Sequence, residues 1–308
     1  MANEKSVPSI PGLEKGKFER IRRELPRIIY SVQGEPKTAK STFPLSGPHP
    51  QVHLDIDDRL EGVANPWERG SRSHEPKTIV RLPLRIPKVV GWNAKLSDAG
   101  VQEAMSKAKS EGMAEWNKFI EHYHMALESS LRPGGVRLIS VDDASSLIDL
   151  RLISEFGRLS KIPQYARGDA NLEIGTLMRE GHKYAASVVW VHELKDEYGP
   201  VKKVDERGNT VTENEKTGRR ILDGYQKTHY AVQVILETSI NKKGQFQVEV
   251  LRSGLNAKTN RAVYTEDDWG KWGPFAWISS EQLVKTEPED WVDLKPKSKS
   301  KGKDEDED

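Results

Sequence analysis

The chain has 308 residues, 35% of them hydrophobic and 31% charged, with a formal net charge of +1 and no cysteine. That length supports a sizeable buried core in one α/β domain with appendages, while the polar balance calls for long surface loops. The absence of cysteine excludes disulfides, thiol nucleophiles and thiolate metal sites, and near-neutrality means that a polyanionic partner would need a local basic patch. No apolar run approaches the ~20 residues that cross a bilayer. The opening "MANEKSVPSIPGLEKGK" lacks the apolar stretch of a signal peptide, so a cytoplasmic protein without membrane contact is expected.

Residues 1–17 read as a flexible arm, and "FERIRRELPR" sets Phe18, Ile21 and Leu25 at helical spacing. "RIIYSVQG" predicts a short buried strand running into a loop, and "STFPLSG" a helix cut short by Pro44 and Gly47. "PQVHLDIDD" alternates as a strand. A surface insertion follows at about 64–95, where "TIVRLPLRIP" carries prolines that suit an edge strand. From Ser97 to Ser130, Met113, Trp116, Ile120, Tyr123 and Leu127 recur at helical steps. "GGVRLISVDD" predicts a buried strand ending in two aspartates, and "ASSLIDLRLISEFGRL" a helix.

"KIPQYARGDAN" reads as an exposed loop before the helix "LEIGTLMREGHKYA", and "SVVWVHEL" as another buried strand. Residues 195–220 show almost no apolar periodicity and balance seven Lys/Arg against six Asp/Glu, which predicts a long mobile loop. "HYAVQVILETSI" and "QFQVEVLRSG", joined by "NKKG", form a hairpin. The stretch 266–279 packs three tryptophans and one phenylalanine among glycines, suited to a lid over the sheet, a subunit contact or a stacking surface. Residues 286–308 end in five lysines followed by five consecutive acids, a composition that stays disordered, as a solubility tail or as a competitor for a polyanion groove.

The strand–loop–helix at 31–42, "SVQGEPKTAKST", has the form of a phosphate cradle, G-x-x-x-x-[G]-K-[ST], with alanine where a glycine usually precedes the lysine. Gly34, Glu35, Pro36, Lys37, Thr38, Ala39, Lys40, Ser41 and Thr42 are the candidate nucleotide contacts. Lys40 would meet the outer phosphates and Ser41 would ligate Mg²⁺. If position 39 requires a positive φ, its methyl costs on the order of 1 kcal/mol. Asp142, followed by Asp143 at the end of an apolar strand, is the candidate second metal ligand; the alternative is a pair of turn acids. Asp57 and Glu61 are candidates to orient an attacking water, or are solvated loop acids. His192, ending "SVVWVH", would sense the outer phosphate or serve the structure.

With these parts in order, the chain resembles the RecA-like P-loop ATPases, most closely the phage nucleotide-binding proteins of that superfamily associated with recombination and single-strand annealing. The matching stretches are "RIIYSVQGEPKTAKST", "VHLDIDDRLEGV", "VRLISVDDASSLIDL", "VVWVHELKDEY", "TGRRILDGYQKTHYAVQVIL" and "QFQVEVLRSGLN", spanning about residues 26–256. The resemblance implies an α/β RecA-like core over residues 18–285: a mostly parallel sheet flanked by helices, with a C-terminal antiparallel hairpin. Lys40, Ser41 and Thr42 match the Walker A end and Asp142 the Walker B acid. Asp57 falls where such enzymes tend to carry a catalytic glutamate, one methylene longer. This departure and Ala39 bear on turnover rather than on binding.

By position in the family, residues 157–171 and 195–220 would be DNA-binding loops. Arg158, Lys161, Arg167, Lys202, Lys203, Arg219 and Arg220 offer phosphate contacts there, and Tyr165 and Tyr198 stacking; the alternative is two ordinary solvated loops. Lys242, Lys243 and Arg252 are placed to enter a neighbouring subunit's ATP site. The implied protein is a Mg²⁺-dependent, DNA-stimulated ATPase of phage-type recombination. It would bind single-stranded DNA as a ring or filament, partner other recombination or replication proteins, and work in the host cytoplasm if phage-encoded. The competing reading is a degenerate P-loop protein acting as a nucleotide-gated or structural assembly factor.

Overall fold

The computed structural model describes residues 27–57, 79–89, 98–204, 210–225 and 227–283. The expected N-terminal arm and helix, Glu61, much of the 64–95 insertion and the charged tail lie outside these residues. In chain order the strands are β1 (Ile29–Gly34), β2 (Gln51–Ile56), β3 (Ile79–Leu84), β4 (Leu138–Asp142), β5 (Ser187–Val204), β6 (Thr210–Leu222), β7 (Val234–Ile240), β8 (Phe246–Ser253) and β9 (Val263–Thr265). The longer helices are α2 (Asp98–Ser129), α3 (Leu147–Phe156), α4 (Gln164–Glu180) and α6 (Gly273–Gln282). Two helices are only four residues long, α1 (Thr42–Leu45) and α5 (Glu266–Trp269).

The sheet order is β3-β2-β4-β5-β1-β7-β8-β9, with β6 paired to β5. The strands from β3 to β7 along this order are parallel, while β7, β8 and β9 are antiparallel neighbours. Parallel strands here are buried on both faces, and every residue of β1 and β4 is buried, polar ones such as Ser31, Gln33, Ser140 and Asp142 included. One face carries Ile29, Leu54, Val141, Val188 and Trp190 against Trp116, Phe119 and Tyr123 of α2 and the buried residues of α3 and α4. The other carries Tyr30, Val32, Val189, Val191, Val234 and Val248 against Phe43 of α1, Trp269 of α5 and Phe275 of α6. The α/β architecture expected from the sequence, a mostly parallel sheet between helices with a C-terminal antiparallel hairpin, is the one observed. None of the helices among the described residues is long and apolar enough to cross a membrane.

Two expectations are corrected. Within the expected loop, residues 195–204 and 210–220 are not irregular: β5 continues past the sheet to Val204 and pairs antiparallel with β6, from Leu194↔Leu222 out to Val204↔Thr210. The alternation that announces a strand comes from one face being buried, and along this ribbon Lys195, Tyr198, Glu215 and Lys216 all face solvent. Likewise "KIPQYARGDAN" is not all loop, because α4 begins at Gln164. Ala166, Ala170, Ile174 and Leu177 form its buried stripe, and two alanines with a glycine at 168 give a weak apolar signal although small residues let a helix pack closely.

The aromatic stretch 266–279 closes the second face as a lid. Phe275 lies 5.4 Å, ring centre to ring centre, from both Tyr30 and Phe43. The Tyr30 hydroxyl shares a 2.7 Å hydrogen bond with Ser279 Oγ, and full burial drives its pKa upward. Phe275→Ala should lower stability by about 3–5 kcal/mol in urea unfolding, and Phe275→Leu by less than about 1.5 kcal/mol.

Candidate phosphate site

The loop after β1 is shaped by a close approach that only glycine permits. A Cβ on Gly34 would stand 2.4 Å from Thr238 Oγ1, 2.6 Å from Thr238 O and 2.7 Å from Thr38 Oγ1. Thr38 Oγ1 donates to Glu35 O at 2.8 Å and shares a 3.0 Å hydrogen bond with Thr238 Oγ1, which ties the loop to β7. Lys37 and Ala39, at φ 65 and 59, are both left-handed. Alternation of right- and left-handed residues curls successive N–H groups toward one point, the form of an anion nest. The condition set by the sequence at position 39, a positive φ, is therefore met by an alanine. Its methyl packs against the Tyr30–Phe43 core.

Lys40 folds back over the loop, donating from Nζ to Gly34 O at 3.0 Å and to Glu35 O at 2.9 Å. Ser41 follows at the head of α1, its hydroxyl near enough to the Asp142 carboxylate at the end of β4 to hold that acid's pKa down. β5 lies between β1 and β4 in the sheet, so the loop reaches across a whole strand to meet this acid. Asp142 is 3% exposed, and its Oδ2 has no hydrogen-bond partner. Burial is the main reason its pKa rises to about 6. The nearby Ser41 hydroxyl opposes the rise, as does Lys40, while Asp143 and Asp55 add to it.

An orphaned, dehydrated carboxylate oxygen beside a hydroxyl is an incomplete oxygen donor set. Mg²⁺ takes one or two protein oxygens and completes its octahedron with phosphate and water, so Ser41 and Asp142 fit that ion. Among the described residues no three His, Cys, Asp or Glu side chains cluster as a metal cage, and a phosphate-bridged Mg²⁺ requires none. Asp143 is occupied locally: it accepts from Ser145 N at 2.6 Å and from Ser146 Oγ at 3.0 Å, capping the turn into α3.

The structure singles out one acid that the sequence reading passed over. Asp55 of β2 stands in register with Asp142, is fully buried, and is ion-paired with Arg81 of β3. Asp57 is exposed, and its Oδ1 accepts from Ile86 N at 3.0 Å in the exit from β3. Strand alternation puts Asp55 in a buried polar row. Ser140 Oγ bonds His53 Nδ1, His53 Nε2 meets Gln51 Oε1 at 2.9 Å, and Gln51 Nε2 donates to Gly47 O at 2.6 Å. Burial, with His49 nearby, pushes His53 down to about 3, so it is neutral. The alternation in "QVHLDI" marks a strand without marking whether its polar side meets water; here that side is buried.

His192 is not brought to the loop. It lies on the face of β5 that carries Trp190, opposite Asp142, and full burial lowers its pKa to about 4 although the Asp223 backbone raises it. Arg220, expected at DNA, places Nη2 3.0 Å from Glu35 Oε2 in the loop after β1. Arg219 is exposed on β6; Lys202 and Lys203 lie on β5, their side chains outside the described residues. Arg158 is half-buried and Lys161 exposed in the turn between α3 and α4, and Arg167 and Tyr165 are exposed on α4. Half-buried Asp149 has its pKa raised by burial first, with Asp223 adding to the rise and Arg167 and Lys195 opposing it, so Arg167 of α4 and the ribbon-root residues Lys195 and Asp223 act on one carboxylate. Lys242 and Lys243 are exposed in the β7–β8 turn and Arg252 is exposed on β8. Since Gly34 pairs with Thr238, that turn extends just beyond the level of the phosphate loop.

No known protein family matches the sequence, and neither does any curated protein. Among solved structures, the KaiC-like protein PH0186 from the hyperthermophilic archaeon Pyrococcus horikoshii OT3 aligns over 77% of this chain and 84% of its own, at 10% identity and a TM-score of 0.39. That likeness is too slight to carry an argument.

Two substitutions test the local physics. Ala39→Gly relieves a left-handed alanine costing about 1–2 kcal/mol against about 0.4–1 kcal/mol of added chain entropy, so urea unfolding should show unchanged or higher stability, by up to about 1 kcal/mol. A carboxyl whose native pKa exceeds its unfolded value stabilises the fold fully below the unfolded value. It loses that contribution as pH rises to its native pKa, here from about 3.8 to about 6. Asp142→Asn should therefore raise stability at pH 8 by about 1–3 kcal/mol, with the gain vanishing near pH 3.5.

Proposed function

We propose that this chain is a Mg²⁺-dependent, RecA-like P-loop ATPase whose nucleotide lies along the Gly34–Thr42 loop. The observation that carries this reading is the approach of the Ser41 hydroxyl to Asp142, whose Oδ2 is buried and unsatisfied. Such an arrangement disfavours the ionised carboxylate until a cation arrives. Lys40 leaves the Gly34 and Glu35 carbonyls for the outer phosphates, and the loop N–H groups receive the inner ones. Bound Mg²⁺, held by Ser41 and Asp142, would supply charge neutralisation for the phosphates. Asp55, held by Arg81, adds negative charge beside Asp142 and is a better candidate than Asp57 for influencing water near the metal, because Asp57 is committed to Ile86.

We further propose that the site serves single-stranded DNA recombination in an oligomer. Support comes from placement: the start of α4 with Tyr165 and Arg167, and the ribbon with Tyr198, Lys216 and Arg219, share the edge of the sheet that carries the phosphate loop. The Lys242–Lys243 turn projects past the same edge, where a neighbouring copy could receive it.

The test is ATP binding and hydrolysis by wild type and Lys40→Ala, each with and without single-stranded DNA. Loss of one charge-assisted phosphate contact should weaken Mg·ATP binding about 10- to 100-fold. DNA should stimulate wild-type hydrolysis, and its binding should weaken with added salt. Wild-type protein that binds no nucleotide would overturn the ATPase reading. Binding without hydrolysis, indifferent to DNA, would favour a nucleotide-gated assembly factor.

A further inference from the structure

Two cations converge on one residue of the phosphate loop. The Glu35 carbonyl receives Lys40 Nζ at 2.9 Å, and its carboxylate receives Arg220 Nη2 at 3.0 Å. Arg220 sits at the root of the ribbon, where the same Nη2 also donates to Leu194 O at 2.8 Å and Nη1 lies 3.6 Å from Asp196 Oδ1. Asp196 has a nearer partner in Lys216, 2.6 Å away. Both Arg220 and Glu35 are half-exposed, so the guanidinium can exchange anions without unpacking the core.

We propose that Arg220 is a second cation of the phosphate site, supplied by the β5–β6 ribbon of the same chain and held by Glu35 until a nucleotide triphosphate displaces that carboxylate. This rests on the nucleotide reading of the loop. A polyphosphate entering the nest brings several negative charges beside Glu35, which repel its carboxylate and attract the guanidinium. A planar, permanently charged donor suits phosphate oxygens. Because Arg220 also holds Leu194, the phosphate loop and the ribbon root share one side chain, and the ribbon is tied differently before and after nucleotide binds.

The ion pair alone would make its two halves equivalent, whereas the proposal makes them opposite. Binding of a fluorescent ATP analogue with Mg²⁺ is measured on the full chain for wild type, Lys40→Ala, Arg220→Ala, Arg220→Lys and Glu35→Gln. Arg220→Ala should weaken binding about tenfold, with Arg220→Lys recovering part of it; Glu35→Gln should tighten binding by about threefold or more. Amide hydrogen exchange at 194–198 and 219–222 should slow on adding Mg·ATPγS in wild type and Glu35→Gln, but not in Arg220→Ala. If wild type binds the analogue and Lys40→Ala does not, yet Arg220→Ala and Glu35→Gln shift affinity in the same direction or not at all, this proposal fails while the nucleotide site stands. If wild type binds no nucleotide, both fail together.

Discussion

A hydroxyl at the head of a four-residue helix stands near a carboxylate on a strand two places away, and the candidate chemistry depends on that approach. Ser41 can reach Asp142 only because the loop is pinned to β7 at Gly34, where any side chain would collide with Thr238. It also needs β4 to end close to the loop, and the parallel register from β1 through β5 to β4 sets the end of β4 at about the level of Val32, two residues before Gly34. The core on both faces of the sheet fixes that register, since a slip of one residue would turn Asp142 toward α2 and α3.

The same arrangement has an energetic cost. Asp142 is dehydrated, half-satisfied and beside other acids, and its raised pKa measures how poorly the protein without a cation solvates it. Sites arranged to receive charge are often destabilised before it arrives, and the stability is supplied elsewhere. Here the sealed aromatic layer of Tyr30, Phe43 and Phe275 directly beneath the loop contributes much of it. Left-handed Ala39 is a second small cost, partly offset by the contact of its methyl with that layer.

Much of this was legible from residues alone. The run "RIIYSVQGEPKTAKST" gave the buried strand, the loop and the short helix, and "VRLISVDD" ended on the acid that meets Ser41, because buried parallel strands and glycine turns leave strong local marks. Asp55 was hidden because a polar residue alternating in a strand looks the same whether that face meets water or a covering loop. The β5–β6 ribbon was hidden for the converse reason: with neither face buried, no hydrophobic alternation records it. The resemblance implied that Arg220 contacts DNA from a loop, and only the pairing of β5 with β6 brings it to Glu35.

The most direct measurement is a crystal structure of the protein with Mn²⁺ and a non-hydrolysable ATP analogue, with the metal placed by anomalous scattering. The account predicts one Mn²⁺ peak about 2–2.4 Å from Ser41 Oγ, next to Asp142, with the triphosphate along Gly34–Thr42. A metal far from both residues, or a triphosphate bound away from the loop, would contradict it.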